Sequence, residues 1–237
     1  MGFQMDIDTS KECAWLHNIL ESCPLIAYPF DLEKLPLNGI YFFYEKGETN
    51  AHNGNLGIVR VGTHKSNNFR SRISEHYLMD GMKTFDENSP APKDRSIFRK
   101  KLGRALLNKM KPAYLPIWEK DFTTKVERAK YKNKRDIALE IQVENQTTKI
   151  LRNNFSFRFI EIADQEQRMG KKGIESRLIG TLSHCRLCKP SSQWLGNFSP
   201  KKQIQESGLW LIQHLSSDGI NDADKVSISR LISRSKQ

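Results

Sequence analysis

The chain predicts an α/β protein of the α+β kind, a few short strands set among helices. Three observations predict it. Ile40 to Tyr44 and Gly57 to Thr63 are β-prone runs separated by a stretch rich in Gly and Asn, the pattern of a hairpin. Phe155, Phe157, Phe159 and Glu161 alternate through Ala163 as a further strand. Around these strands, apolar residues recur at three- and four-residue spacing, as amphipathic helices require.

Taken in order, Thr9 or Ser10 caps a first helix whose apolar face carries Trp15 and Ile19, joined by Leu16 and Leu20. Cys23-Pro24 ends it, and Pro29 and Pro36 mark a loop. In the second strand Ile58, Val59 and Val61 are set around Arg60. Residues 65–68 are a loop, and Phe69 to Met79 form a short helix with Phe69, Ile73 and Tyr77 on one face. Residues 81–93 are loop-like. Residues 95–112 hold seven Lys or Arg and no acid, on a stripe of Ile97, Phe98, Leu102, Leu106 and Leu107. A helix from about Asp136 to Leu151 turns Ile137, Ile141 and Leu151 inward. Gly173 to Ser183 is a helix, Pro190 to Pro200 is irregular, and Gln203 to His214 ends in an apolar Gly-Leu-Trp-Leu-Ile cluster. Ser227 to Ser233 form a terminal helix. The boundaries that follow are an N-terminal helical extension over 1–36, a core over 37–200 with a helical insertion at about 81–151, and a C-terminal extension over 201–237 packed on the core.

Composition narrows the partner. The 237 residues include 38 Lys and Arg against 27 Asp and Glu, a net charge of +11. That excess suits a polyanion, because each neutralised phosphate releases condensed counterions. No apolar run reaches the ~18–20 residues that span a bilayer. Met1 to Ser10 has neither a basic nor an apolar leader region, and four cysteines (Cys13, Cys23, Cys185 and Cys188) suit a reducing compartment, so a cytoplasmic location is expected.

Single residues carry the chemistry. Tyr41 alone is best read as strand packing. Arg72 and His76 stand one helical turn apart and share a face, where a guanidinium can present its fork of donors to a phosphate. His184-Cys185-x-x-Cys188 is half of a zinc-site pattern without a second close pair, so free buried cysteines are the reading it favours. The basic helix is read either as a solvated insertion or as a face for DNA backbone, with Arg95, Arg99, Lys100, Lys101 and Arg104 making the contacts. Trp194 and Trp210, each beside Leu and Gly, are packing anchors rather than base-stacking platforms.

Read as an ordered set, the motifs say more. Gly39-Ile40-Tyr41 with Phe42-Phe43-Tyr44-Glu45 is followed by Val59-Arg60-Val61-Gly62-Thr63-His64, then by Arg72 and His76. Arg95-Ser96-Ile97-Phe98-Arg99, Ile174-Glu175-Ser176-Arg177-Leu178-Ile179, Ser191-Ser192-Gln193-Trp194-Leu195-Gly196 and Ser207-Gly208-Leu209-Trp210 complete it. From about Leu37 to His214 this order resembles the GIY-YIG nuclease superfamily, in a branch apart from its repair and homing enzymes.

The resemblance implies a small mixed, largely antiparallel three-stranded sheet flanked by helices, and a metal-dependent endonuclease acting on DNA. Tyr41 would hold or deprotonate the attacking water, although a free phenol with a pKa of about 10 needs help to act as a base. Arg72 would clamp the scissile phosphate. Glu175 would be the single protein carboxylate on Mg²⁺ or Mn²⁺, and His76 would orient the water or the tyrosine. One position departs from the pattern: Arg60 stands where the second tyrosine is expected. A guanidinium with a pKa above ~12 cannot be a general base. Arg60 would then tune Tyr41 or contact phosphate, leaving His64 or His76 as proton acceptor. The presence of Tyr41, Arg72, His76 and Glu175 favours this shifted division of labour. The last polar residue of the site is assigned to Asn197, with Ser192 and Gln193 as rivals. Two alternatives stand beside the DNA endonuclease: a catalytically silent DNA-binding module that keeps the fold, and a nuclease directed at RNA.

Overall fold

The computed structural model describes residues 7–81 and 85–234. Its elements are α1 (Ser10–Leu20), β1 (Ile26–Ala27), β2 (Gly39–Thr49), β3 (Leu56–Gly62), α2 (Phe69–Tyr77), α3 (Ile97–Met110), α4 (Leu115–Trp118), α5 (Lys125–Tyr131), α6 (Ile137–Asn154), β4 (Phe155–Glu161), α7 (Gln165–Arg168), α8 (Ile174–Ser183), α9 (Lys202–Ser207) and α10 (Asp222–Arg234). The strands form one sheet in the order β1-β4-β2-β3, and every pairing is antiparallel. The expected three strands are therefore joined by a two-residue fourth at the edge, and among the described residues no strand pairs in parallel.

Helices cover both faces of the sheet, which explains the near-continuous apolar run of β2. Ile40, Phe42 and Tyr44 pack with Cys13, Leu16 and Leu20 of α1 and with Ile174, Leu178 and Ile179 of α8. On the opposite face, Tyr41 and Phe43 pack with Phe69, Ile73 and Tyr77 of α2 and with Phe98 and Leu102 of α3. Trp194 and Trp210 are buried in that second core, as anchors. Their indole N–H groups both donate to Oε2 of Glu45, at 2.9 and 3.1 Å.

Strand β3 carries the feature that decides where the site forms. Tyr41, Phe42 and Phe43 pair with Gly62, Val61 and Arg60, but Tyr44 pairs with Ile58. Val59 is therefore an extra residue, a β-bulge that resets the in-out phase of the strand. Unbroken alternation from Ile58 would send Arg60 to the α1 and α8 face. The bulge instead puts Arg60 on the same face as Tyr41 and Phe43. It also frees the Val59 carbonyl, which accepts from the Trp210 N–H at 2.7 Å.

Three helical stripes differ from expectation. Along α1 the inward residues are Cys13, Leu16, His17 and Leu20, with Trp15 and Ile19 only partly buried. In α3, Ile97 is 65% exposed while Phe98, Arg99, Lys101, Leu102 and Arg104 turn inward. In α6 the buried face is Glu140, Val143, Glu144, Thr147 and Leu151, in place of Ile137 and Ile141. The last two departures share a cause: α3 and α6 meet through the Arg99–Glu144 ion pair as well as apolar contacts. Among the described residues no helix is long and apolar enough to cross a membrane.

Candidate active site

The site begins at the start of β2. The Gly39 N–H donates to Nε2 of His64 at 3.2 Å, and a Cβ on Gly39 would stand 2.6 Å from the Ile160 carbonyl oxygen of β4. Two residues on, Tyr41 lies over its cross-strand partner Gly62, where an added Cβ would meet the phenol oxygen at 2.4 Å. Glycine at 62 is what lets the ring lie flat on the hairpin. The phenol then points at α2, and its oxygen is 3.1 Å from Nε2 of His76.

His76 is held from both sides. Its Nδ1 lies 2.7 Å from Oγ of Ser96, the N-cap of α3, whose Oγ also accepts the Arg99 N–H at 3.2 Å. This network suits the tautomer in which Nδ1 donates to Ser96 and Nε2 faces the phenol as an acceptor. Burial pushes the imidazole pKa well below its ordinary value of 6.5, and the cations Arg60, Arg72 and Arg99 push it further. His76 is therefore neutral at physiological pH. Burial raises the Tyr41 phenol above 10, while the Arg60 charge opposes the rise.

Arg60 is buried beside this pair. Its Nη1 donates to the Trp210 carbonyl at 2.7 Å, and its guanidinium lies 4.8 Å from the centre of the Phe98 ring. Among the described residues its Nε has no hydrogen-bond partner. Lys101 donates to the same Trp210 carbonyl at 3.1 Å, and burial, with Arg60 and Arg104 nearby, lowers its pKa to about 6. Arg72 stands at the solvent edge, its Nη1 2.8 Å from Glu75 and 2.9 Å from the Arg95 carbonyl. Glu175 sits in the first turn of α8, half-buried. Burial raises its pKa above 4.5, against the pull of Arg60, the Thr63 backbone N–H and Arg168. Both Glu175 and Arg72 act electrostatically on Tyr41. The structure thus gathers Tyr41, Arg60, Arg72, His76 and Glu175.

Other expected residues lie elsewhere or do other work. His64 accepts from Gly39 at Nε2 and hydrogen-bonds the Lys65 carbonyl at Nδ1, so both nitrogens are engaged by backbone. Its carbonyl takes Nη2 of Arg168 at 3.1 Å. His64 braces the strand ends and has no free nitrogen for proton transfer. The Asn197 amide donates to the Ser191 and Ser192 carbonyls at 2.9 and 3.2 Å, closing its own loop. The expected DNA face of α3 is largely interior. Arg99 is fully buried against Glu144, Thr148 and the His76 carbonyl, and Arg104 pairs with Glu119. Lys101 is buried, and Lys100 donates to the Glu119 carbonyl at 2.6 Å. Of the five, Arg95 is the exposed one.

Sequence reading missed Ser96 and Arg168. Ser96 did leave a signal, a hydroxyl residue directly before a helical stripe. Arg168 left none, because its partners are carbonyls of Ile162 and His64.

A family model described as a GIY-YIG domain matches residues 27–236. No curated protein matches the chain, and no solved structure does.

Proposed function

The chain belongs to the GIY-YIG family, whose model covers most of its length, and on that premise we propose that it is a metal-dependent endonuclease hydrolysing phosphodiester bonds in DNA. Family members are generally endonucleases that act with a divalent metal on nucleic acid. The observation that carries the reading is the 3.1 Å contact between the Tyr41 oxygen and Nε2 of His76. It supplies the proton acceptor that a phenol needs and that Arg60 cannot be.

In this reading Tyr41 holds the attacking water. As the water oxygen adds to phosphorus, a water proton passes to the phenol oxygen and the phenolic proton passes to His76. The phosphorus–oxygen bond to the leaving sugar then breaks. Arg60 and Arg72 disfavour a charged imidazole in the free protein, which keeps His76 ready to accept. A phosphodiester set against the same two cations offsets that repulsion. Arg72 clamps the phosphate from the solvent edge, and the buried charge of Arg60 offsets negative charge from beneath Tyr41.

Glu175 fits the metal role: a half-buried carboxylate with hard oxygen donors and no ion pair among the described residues. Mg²⁺ commonly takes one or two carboxylates and keeps several waters. Bound at Glu175, it would stabilise charge on the phosphate and the leaving oxygen. The proposed organisation keeps a nuclease core over 37–200, with both terminal extensions packed on it.

The test is a supercoiled-plasmid assay with Mg²⁺, Mn²⁺ or chelator. Nicking that needs metal and is lost in Tyr41→Phe supports the reading. A rival is favoured by two observations, Arg60 at the second motif position and a Tyr41 only 1% exposed. That rival is a silent DNA-binding module, and salt-sensitive binding without cleavage in any metal would establish it. Parallel RNA and single-stranded substrates decide the nucleic-acid class.

A further inference from the structure

On the far side of the sheet four ligand atoms converge: Sγ of Cys13, Cys185 and Cys188 and a ring nitrogen of His52 all lie within 4.8 Å of one another. We propose that these residues form a structural zinc site that fastens α1 and the β2–β3 turn to the segment after α8. The ligands come from three distant stretches of chain. Cys13 is in the first turn of α1, His52 in the turn after Thr49, and Cys185-x-x-Cys188 follows the end of α8. The adjacent His184 is not a ligand; Cys13 and His52 supply the second half that no close sequence pair could reveal.

Distances favour a metal over a cluster of free thiols. Zinc held tetrahedrally by sulfur at about 2.3 Å and nitrogen at about 2.0 Å has ligand edges of about 3.8 Å for S···S and about 3.5 Å for S···N. The Cys13 and Cys188 sulfurs are 4.0 Å apart, and Cys185 Sγ is 3.5 Å from Nε2 of His52. A disulfide would bring two sulfurs to about 2.05 Å, and none of Cys13, Cys185 and Cys188 is in one. The Cys188 N–H lies 3.5 Å from Sγ of Cys185, the backbone donation that steadies a metal-bound thiolate. Three thiolates and an imidazole select zinc over the hard cations Mg²⁺ and Ca²⁺. Four protein ligands leave no open position, so the ion is structural and takes no part in hydrolysis. Cys13 and Cys185 belong to the same buried core as Leu16, Phe42 and Leu178, so the ion would bind α1 directly into the sheet's packing.

This site is independent of the nuclease reading, and its test uses metal content rather than cleavage. The full chain, purified reduced and with any histidine tag removed, is analysed for metal by mass spectrometry, and its zinc is titrated with a mercurial and a chromogenic chelator. About one zinc per chain, released as thiols react, is expected. Replacement by Co²⁺ should give the intense visible bands and thiolate charge transfer of a tetrahedral site. His52→Cys should keep the zinc and shift the cobalt spectrum; His52→Ala and Cys188→Ser should lower zinc occupancy and the melting temperature. Should those variants fail to fold, the wild-type metal content decides alone. Metal-free protein with four titratable thiols, a Cys13–Cys188 disulfide, or iron and sulfide in place of zinc would overturn the proposal.

Discussion

Tyr41 and His76 meet across the junction of strand and helix, phenol oxygen to Nε2 at 3.1 Å, both side chains almost wholly buried. In the proposed mechanism this pair is the proton path. Tyr41→Phe deletes the hydroxyl yet keeps the ring over Gly62, so it should lower cleavage by roughly 10²–10⁴-fold with little change in melting temperature. His76→Gln should cost a similar factor. Because His76 is held neutral to well below pH 6.5, the acid limb of the pH–rate profile attributable to it should fall below that value. An inflection at or above pH 6.5 that disappears in His76→Gln would contradict the assignment.

Gly62 is tied to Tyr41 by sterics. A methyl group there would overlap the ring carbons at 2.5 Å, and neither backbone nor packed ring can easily give way. Gly62→Ala should therefore destabilise by about 1–3 kcal/mol in urea denaturation and displace the phenol. Combining it with Tyr41→Ala should cost less than the sum of the two single changes, since the clash has one cause. Additive losses would mean that the two positions are uncoupled.

Arginines of α3 separate structure from DNA contact. Arg99 and Glu144 form an ion pair with both side chains fully buried. Removing one partner strands a charge, and Arg99→Met should cost about 3–5 kcal/mol, most of it regained in Arg99→Met with Glu144→Leu. Exposed Arg95 and half-buried Arg72 should behave oppositely. Alanine at either should leave stability within about 0.5 kcal/mol and reduce the slope of log K against log salt by about 0.9 for DNA. Fluorescence anisotropy over a salt series measures this. A full slope in both variants would move the DNA surface elsewhere.

The contrast between those helices marks how far the residues alone could be read. The three main strands and Tyr41 were legible because strand pattern and motif order are local. The face taken by Arg60 was not, because one bulged residue, Val59, reverses the phase that alternation predicts. The α3 lysines and arginines looked like a solvent face because their partners are remote: Glu144 meets Arg99 from 45 residues away. The thiol cluster was hidden for the same reason, with Cys188 lying 175 positions after Cys13. Both signals depend on pairing that only the folded chain creates.

Two buried titratable groups near the site predict a stability profile of opposite slopes. Burial raises Glu45 to about pKa 7, against its two indole donors. The folded state therefore keeps a proton that the unfolded carboxyl, ordinarily near 4.5, gives up. Stability from this group is full below pH 4.5 and is lost as pH rises through about 7, a change on the order of 3 kcal/mol. Lys101, lowered to about 6 from 10.5 by burial and by Arg60 and Arg104, acts the other way. The unfolded state then binds the extra proton, so stability rises from about pH 6 toward 10 and falls on acidification. Glu45→Gln keeps a carbonyl acceptor for the tryptophans and should remove the decline between pH 5 and 7. Lys101→Met should remove the rise above pH 7 and stabilise the protein at pH 6. Urea midpoints across that range distinguish them: a profile unchanged in both variants would mean that neither group titrates in the buried state described here.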